Sequence, residues 1–440
     1  MPRRPMHASC KPIQLNRLAH RFAMTDTTLA PASVNPAVST PDLPGAPFVD
    51  VGPPACEGPH GIRYDFNYGC RVKVEGDGWR VRLLDREADV VLFDEAVSDA
   101  TVTSTRKYFV EFRIEVYRHG ELVFEHDYDA RGKRVYARLP VGTLGDIIAW
   151  FPYVDEFRKR HGCEMVLSMG EAIWSLFRQA YPDLHYIRPE EEEAQRETFY
   201  ASYYLGIFFP CEDRTHQPTD FRVSGLQKTI AYLLGLPALE CRPRIVLTDP
   251  TRQIAEPYVC IAAQSSSQCK YWNNPIGWME TVKFLKAAGY RVLCIDREAV
   301  NGHGLHWNHI PYGAEDFTGD LPLQARASLL RHADFFVGLS SGLSWLAWAV
   351  GTPVVMISGF THPLNEFETP YRVINFHTCN SCWNDTSVEF EHKDFLWCPR
   401  HAGTDRQFEC SRLITPGHVQ RVIRRLMQDR KLGSDRPEEH

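Results

Sequence analysis

The chain has 440 residues, with 49 lysines and arginines against 55 acidic residues and a net charge of −6. That length leaves room for two or three domains with sizeable cores. So mild a negative charge argues against nucleic acid as the main partner, because phosphate backbones need a basic surface, but it allows a local basic pocket for a small phosphorylated ligand.

No segment is apolar for long enough to cross a bilayer. The best candidate, Trp345–Ile357, is interrupted by Gly351, Thr352 and Pro353 and reads as a helix followed by a buried strand. The N-terminus has basic residues but neither an apolar stretch nor a small-residue cleavage site, so it does not read as a secretory signal. Up to Phe22 it lacks acidic residues, as organellar transit peptides do; the plainer expectation is that Met24 begins the protein. Thirteen cysteines, an odd number, do not suggest a disulfide framework. Reduced thiols in the cytoplasm are expected, with Cys163, Cys260 and Cys294 as buried filler.

Residues 1–60 are rich in Pro, Ala, Ser and Thr without periodicity and read as a disordered arm. Residues 61–133 read as an antiparallel β domain, with a barrel as one way to close it. Its strands are expected at Arg71–Val74, Trp79–Leu84, Val90–Phe93, Tyr108–Tyr117 and Leu122–Tyr128, with turns at Asp77-Gly78 and His119-Gly120. Residues 134–243 switch to an α/β pattern. A strand through Val135, Ala137 and Leu139 leads into Gly142-Thr143-Leu144-Gly145-Asp146. A helix follows with Ile147, Ile148, Phe151, Val154 and Phe157 on one face. A strand at Met165–Ser168 and helices at Ala172–Tyr181 and Val223–Leu236 complete this unit.

Residues 244–375 repeat the alternation. Strands are expected at Tyr258–Ala263, Arg291–Ile295, Asp334–Gly338 and Pro353–Ile357, and helices at Gly277–Ala288, Leu323–His332 and Gly342–Val350. Residues 376–414 carry a cysteine cluster. Residues 415–440 form a C-terminal helix and tail, with Thr415 as N-cap, Pro416 at the first helical position and a frayed end from Lys431. The fold class is therefore α/β: GT-B-like twin Rossmann domains with an N-terminal antiparallel β domain and a four-cysteine metal finger. No short-period repeat is present.

The cysteines are spaced Cys379-x2-Cys382-x15-Cys398-x11-Cys410. The first pair matches the tight turn that aims two sulfurs at one ion. The segment has almost no aliphatic core, so metal is expected to hold it together. His377, His392 or His401 could replace one thiolate. Coordination rules alone favour zinc, with iron second. A closed four-thiolate site leaves no position for substrate, so a structural role is expected.

Two loops could build a sugar-nucleotide site. Thr143, Leu144 and Gly145 lie between a strand end and a helix start, where α/β proteins bind ligands. Asp146 falls in the first helical turn, where the dipole favours its ionised form. It is either a base for an acceptor hydroxyl or simply an N-terminal helix charge. Ser340, Ser341, Gly342 and Leu343 form a hydroxyl- and glycine-rich helix start that could bind phosphate through free N–H groups, or be an ordinary cap. Lys270, in a loop after a strand, could neutralise a departing diphosphate. Asp296 and Glu298 follow a strand and could bind ribose hydroxyls, or be surface acids.

These segments in this order resemble the bacterial autotransporter heptosyltransferase family. The resemblance rests on the Gly142–Asp146 loop, Lys270-Tyr271-Trp272, Gly338–Leu346 and the four cysteines, and runs from about Gly61 to Leu432. Lipopolysaccharide heptosyltransferases share the Gly-Asp loop and the Gly-Leu-Ser segment but lack the finger. They usually carry Thr-Gly-Leu-Ser-His, where this chain has Ser341-Gly342-Leu343-Ser344-Trp345, so no role for that histidine carries over. The resemblance implies inverting transfer from ADP-D-glycero-β-D-manno-heptose to serines of an autotransporter adhesin. It implies Asp146 as general base, Lys270 at the diphosphate, and one structural iron (Fe3+) per chain in the finger, with zinc as second choice. It also implies a large homo-oligomeric ring, a cytoplasmic location and no membrane insertion. The alternatives are a lipopolysaccharide-core heptosyltransferase and a non-catalytic metal-bound scaffold for adhesins.

Overall fold

The computed structural model describes residues 52–139, 144–208, 214–391 and 393–432. Gly142, Thr143, His392, most of the expected arm and the end of the tail lie outside the described residues.

Residues 52–60, expected in the arm, are part of the fold. Cys56–Glu57 pairs antiparallel with a strand at Arg63–Asn67. Buried Asp65 is the anchor: it accepts from Ala55 N at 3.0 Å and forms a buried ion pair with Arg71. Composition hid this because the partner groups lie outside the segment itself.

The β-rich region divides in two. Val90–Val97, Trp79–Asp85, Phe112–Arg118 and Glu121–Asp127 form an open antiparallel sheet in that order, so four strands do not close a barrel. Trp79, Val81 and Leu83 point into its core, while Arg80 and Arg82 reach Asp94 on the other face. The strands Arg63–Asn67, Arg71–Val74 and Ala100–Thr103 instead extend the first α/β sheet. Its order is His185–Ile187, Glu164–Ser168, Arg134–Arg138, Ala201–Tyr204, Arg63–Asn67, Arg71–Val74, Ala100–Thr103. One sheet therefore crosses the boundary expected at residue 133. The seam is the parallel pairing of Ala201–Tyr204 with Arg63–Asn67, where Ser202 Oγ donates to Asn67 Oδ1 at 2.6 Å.

The second sheet has six parallel strands: Glu315–Asp316, Arg291–Cys294, Tyr258–Ile261, Phe336–Leu339, Val354–Ile357 and Arg372–Val373. Its three central strands are buried throughout, which explains their continuous apolar runs. Chain order reverses between Tyr258–Ile261 and Phe336–Leu339. In the first sheet it reverses between Arg134–Arg138 and Ala201–Tyr204. Such switch points open a crevice at the carboxyl ends of the strands.

The helix after the first switch point, Leu144–His161, is buried on nearly all sides as far as Phe157, not on one face alone. It packs against helices Gly342–Ala349 and Leu226–Leu233. The helix expected at Val223–Leu236 is two helices, Phe221–Ser224 and Leu226–Leu233, broken at Gly225. Gly225 takes a φ of +78°, and the Leu364 carbonyl sits where a Cβ would go. The Pro416–Asp429 helix is capped as expected, with Thr415 Oγ1 accepting from His418 N. An antiparallel hairpin of Val300–His303 and His306–His309 was not anticipated. Among the described residues no helix is long and apolar enough to cross a membrane.

Candidate active site

Asp146, half-buried, lies in the first turn of the Leu144–His161 helix, beyond the first switch point. Ser341 precedes the Gly342–Ala349 helix, beyond the second. The two helix starts meet through glycines. A methyl group on Gly145 would lie 2.9 Å from Trp345 Cδ1, and one on Gly342 would lie 2.9 Å from Leu144 Cβ. Neither position has room for a Cβ at this approach. Gly145→Ala and Gly342→Ala are each expected to cost about 1–3 kcal/mol through overpacking. Thermal unfolding measures that cost; unchanged melting in both variants would refute the close approach.

On the second side, Ser341 takes an extended conformation (φ −151°, ψ 171°) ahead of the helix. Its Oγ is buried and has no hydrogen-bond partner among the described residues. An unpaired buried hydroxyl beside free helix N–H groups suits an anionic ligand. Leu343 is half-buried in the first turn. Ser340 is engaged elsewhere: its hydroxyl donates to the Glu366 carboxylate, which pairs with Arg372 at 2.9 Å. Sequence reasoning missed Glu366 and Arg372, since nothing in their spacing marks a buried ion pair under a helix start.

Lys270 ends a short 3-10 turn, Gln268–Lys270, after Tyr258–Ile261. Its Nζ lies 3.4 Å from Ser266 Oγ, 5.6 Å from the Phe360 ring centre and 5.8 Å from that of Trp383. Among the described residues no carboxylate lies at ion-pair distance from it.

Asp296 does not stand open to a ribose. It is buried, and its two carboxylate oxygens accept from Ala263 N at 2.8 Å and Gln264 N at 3.2 Å. Cys294 Sγ donates to it as well. Burial pushes its pKa up while these bonds oppose the shift. Asp296 thus holds the start of the Lys270 loop. Asp296→Ala would orphan two buried N–H groups, at about 1–3 kcal/mol each. Denaturant titration should detect that loss; a variant as stable as the parent would contradict it.

In the cysteine segment, the donor atoms that converge most closely are Cys379 Sγ, a His401 ring nitrogen and a Glu409 carboxylate oxygen, all within 4.8 Å of one another. Glu409 also accepts from Cys379 N at 3.0 Å. Its bonds to Arg406 hold its carboxyl down at about 2. Burial and the neighbouring sulfurs, Cys379 foremost, push the Cys382 thiol up to about 12. Cys410 is raised further by burial and by Cys382, Cys398 and Cys379. Cys382 thus feels Cys379 and Cys398, and Cys410 feels all three other sulfurs. Such a donor set fits a thiophilic cation, which would hold the sulfurs as thiolates and reverse these shifts.

The expectation that metal alone holds this segment together needs correction. Trp383, Phe390 and Trp397 pack on Phe360, with ring centres 5.0–5.8 Å apart. The aliphatic count missed this core because it is aromatic. The segment also ties itself to the Lys270 loop and to the Phe221–Ser224 helix. Phe395 O accepts from Gln268 N and Ser267 Oγ, Asn384 Nδ2 donates to Arg222 O, and Trp383 packs on Phe221.

The model of the family described as glycosyltransferase TibC, N-terminal domain, matches residues 58–120. That of glycosyltransferase family 9 (heptosyltransferase) matches residues 230–393. The autotransporter heptosyltransferase BAHTCr of Citrobacter rodentium is 52% identical over 375 residues, 85% of this chain and 91% of that protein. The chain belongs to the autotransporter heptosyltransferase family. It is thus a glycosyltransferase by descent and by fold. The crystal structure of the iron-containing dodecameric glycosyltransferase TibC from enterotoxigenic E. coli matches with a TM-score of 0.82 and 49% identity. That match covers 86% of this chain and 98% of TibC. TibC has also been solved in complex with ADP-D-beta-D-heptose; that chain matches over its full length, 89% of this one, at 48% identity and the same TM-score. A further family member, BimC of Burkholderia thailandensis, is described as inactive; it is 46% identical over 90% of this chain and 92% of its own.

Proposed function

We propose that this autotransporter heptosyltransferase transfers heptose from ADP-D-glycero-β-D-manno-heptose to serine hydroxyls of an autotransporter adhesin, with inversion at the anomeric carbon. The observation that carries the reading is the glycine contact that brings the Asp146 helix start against the Ser341–Gly342 helix start. The helix turn that carries Asp146 in one α/β unit therefore meets, at Gly145 and Leu144, the helix start of the other, which this reading assigns to the diphosphate. The two units then act as GT-B-like twin Rossmann domains, residues 134–243 toward the acceptor and 244–375 toward the nucleotide. The complex of TibC with ADP-D-beta-D-heptose supports the donor.

In this reading Asp146 accepts the proton of the serine Oγ as that oxygen attacks the anomeric carbon. The bond from that carbon to the diphosphate oxygen breaks on the opposite side, and ADP leaves. Ser341 Oγ, the N–H groups of Gly342 and Leu343, and Lys270 Nζ receive the charge that builds on the diphosphate. Leu144 and Gly145 shape the acceptor side.

The four cysteines 379, 382, 398 and 410 hold one iron per chain, as Fe3+, with zinc as the second choice; iron-containing TibC supports that assignment. The iron would cross-link the finger and take no part in bond making, since four thiolates complete its coordination. Dodecameric TibC supports a large homo-oligomer here. Transfer takes place in the cytoplasm.

Mass spectrometry of a co-expressed adhesin tests the whole reading. Serine-linked heptose that requires this chain is the expected result, and an unmodified adhesin would sink it. The inactive member BimC motivates one other reading, a family member that binds adhesin without transfer. It predicts no ADP release from ADP-heptose.

A further inference from the structure

The geometry points to Trp383 of the cysteine finger, together with Phe360, as the positioning device for Lys270. This rests on the reading of Lys270 as the diphosphate cation.

A lysine on a loop has four rotatable bonds, and ordering it costs entropy that binding must recover. A carboxylate can order such a cation in an ion pair. None lies within reach of Lys270 among the described residues; its Nζ instead faces two aromatic rings, at 5.6 and 5.8 Å. A π face attracts an ammonium group without neutralising it. The full positive charge stays available to a diphosphate, which a salt bridge would partly consume.

The rings are themselves fixed. Trp383 Nε1 donates to Asn365 Oδ1 at 3.0 Å, and Trp383 N donates to Phe360 O at 3.1 Å. Trp383 directly follows Cys382, and the knuckle turn begins at Ser381, in a left-handed conformation (φ +61°), whose N–H donates to Gly359 O at 2.8 Å. The indole is thereby locked to the strand-end segment that carries Phe360. The lysine's own loop is tied to the finger by the two bonds to Phe395 O. The finger therefore supplies the ring and also holds the loop in register with it.

The experiment is a double-mutant cycle on the purified full chain, read as ADP affinity by calorimetry. Metal content and thermal melting are recorded for every variant. Lys270→Ala is expected to weaken ADP binding. Trp383→Leu is expected to weaken it about two- to five-fold, the loss of one cation–π contact at the lower end of its range, and Trp383→Phe to recover most of that. In the Lys270→Ala background, Trp383→Leu should add nothing. An equal loss from Trp383→Leu in both backgrounds overturns the positioning role and leaves the lysine assignment standing. Unchanged ADP binding in Lys270→Ala overturns the lysine assignment and this inference with it. Should Trp383→Leu fail to fold, Phe360→Leu removes the other ring from outside the finger and is read in the same cycle.

Discussion

Asp146→Asn is expected to lower the rate of heptosyl transfer by about 10²–10⁴-fold, the range for losing a positioned general base. The substitution keeps the size and shape of the side chain, so the helix start should hold its place against Trp345 and Gly342. In the proposed reading it removes the group that takes the serine proton, and the unassisted hydroxyl is a poor nucleophile. ADP affinity should change little, because the proposed nucleotide contacts are those beyond the second switch point. The rate is read as ADP release in the presence of adhesin, beside calorimetry with ADP. A variant that keeps parental turnover would remove Asp146 from the chemistry and leave it an ordinary N-terminal helix charge.

The second large effect concerns the finger. Cys379→Ser with Cys382→Ser should release the metal and lower stability by on the order of several kcal/mol, since binding free energy at such a site is also folding free energy. The aromatic packing of Trp383, Phe390 and Trp397 on Phe360 should keep the segment from unfolding completely. The combined signature is a metal-free protein with a lower melting point and increased protease sensitivity confined to residues 376–414. Metal retained by the double variant would show that other groups hold it. His401→Ala and Glu409→Gln then become decisive, because these two donors lie with Cys379 inside a 4.8 Å cluster. If those two variants lose the metal while the double serine variant keeps it, the four-thiolate assignment falls.

The sequence by itself determined the alternation of strands and helices from Arg134 onward, because burial in a parallel sheet writes continuous apolar runs such as Tyr258–Ile261 and Val354–Ile357. It also determined which loops could carry chemistry: the Gly145-Asp146 helix start, the Ser341-Gly342 helix start and the Lys270 loop all follow strand ends. The cysteine spacing drew attention to the segment in which Cys379 meets His401 and Glu409.

Other features were decided only by the tertiary fold, and each for the same reason: the partner is distant in sequence. Strand pairing gave Arg63–Asn67 to the α/β sheet through Ala201–Tyr204, which no local pattern encodes. Asp296 could have been a ribose ligand or a surface acid; its burial and its bonds to backbone N–H groups make it a structural brace. Ser340 went to Glu366, while Ser341 was left with an unpaired hydroxyl, a difference invisible between adjacent serines. Aromatic packing gave the cysteine finger a core and set its tryptophan over Lys270. A residue's type and neighbours write the local element; what a side chain can do depends on which groups the fold has already paired with it.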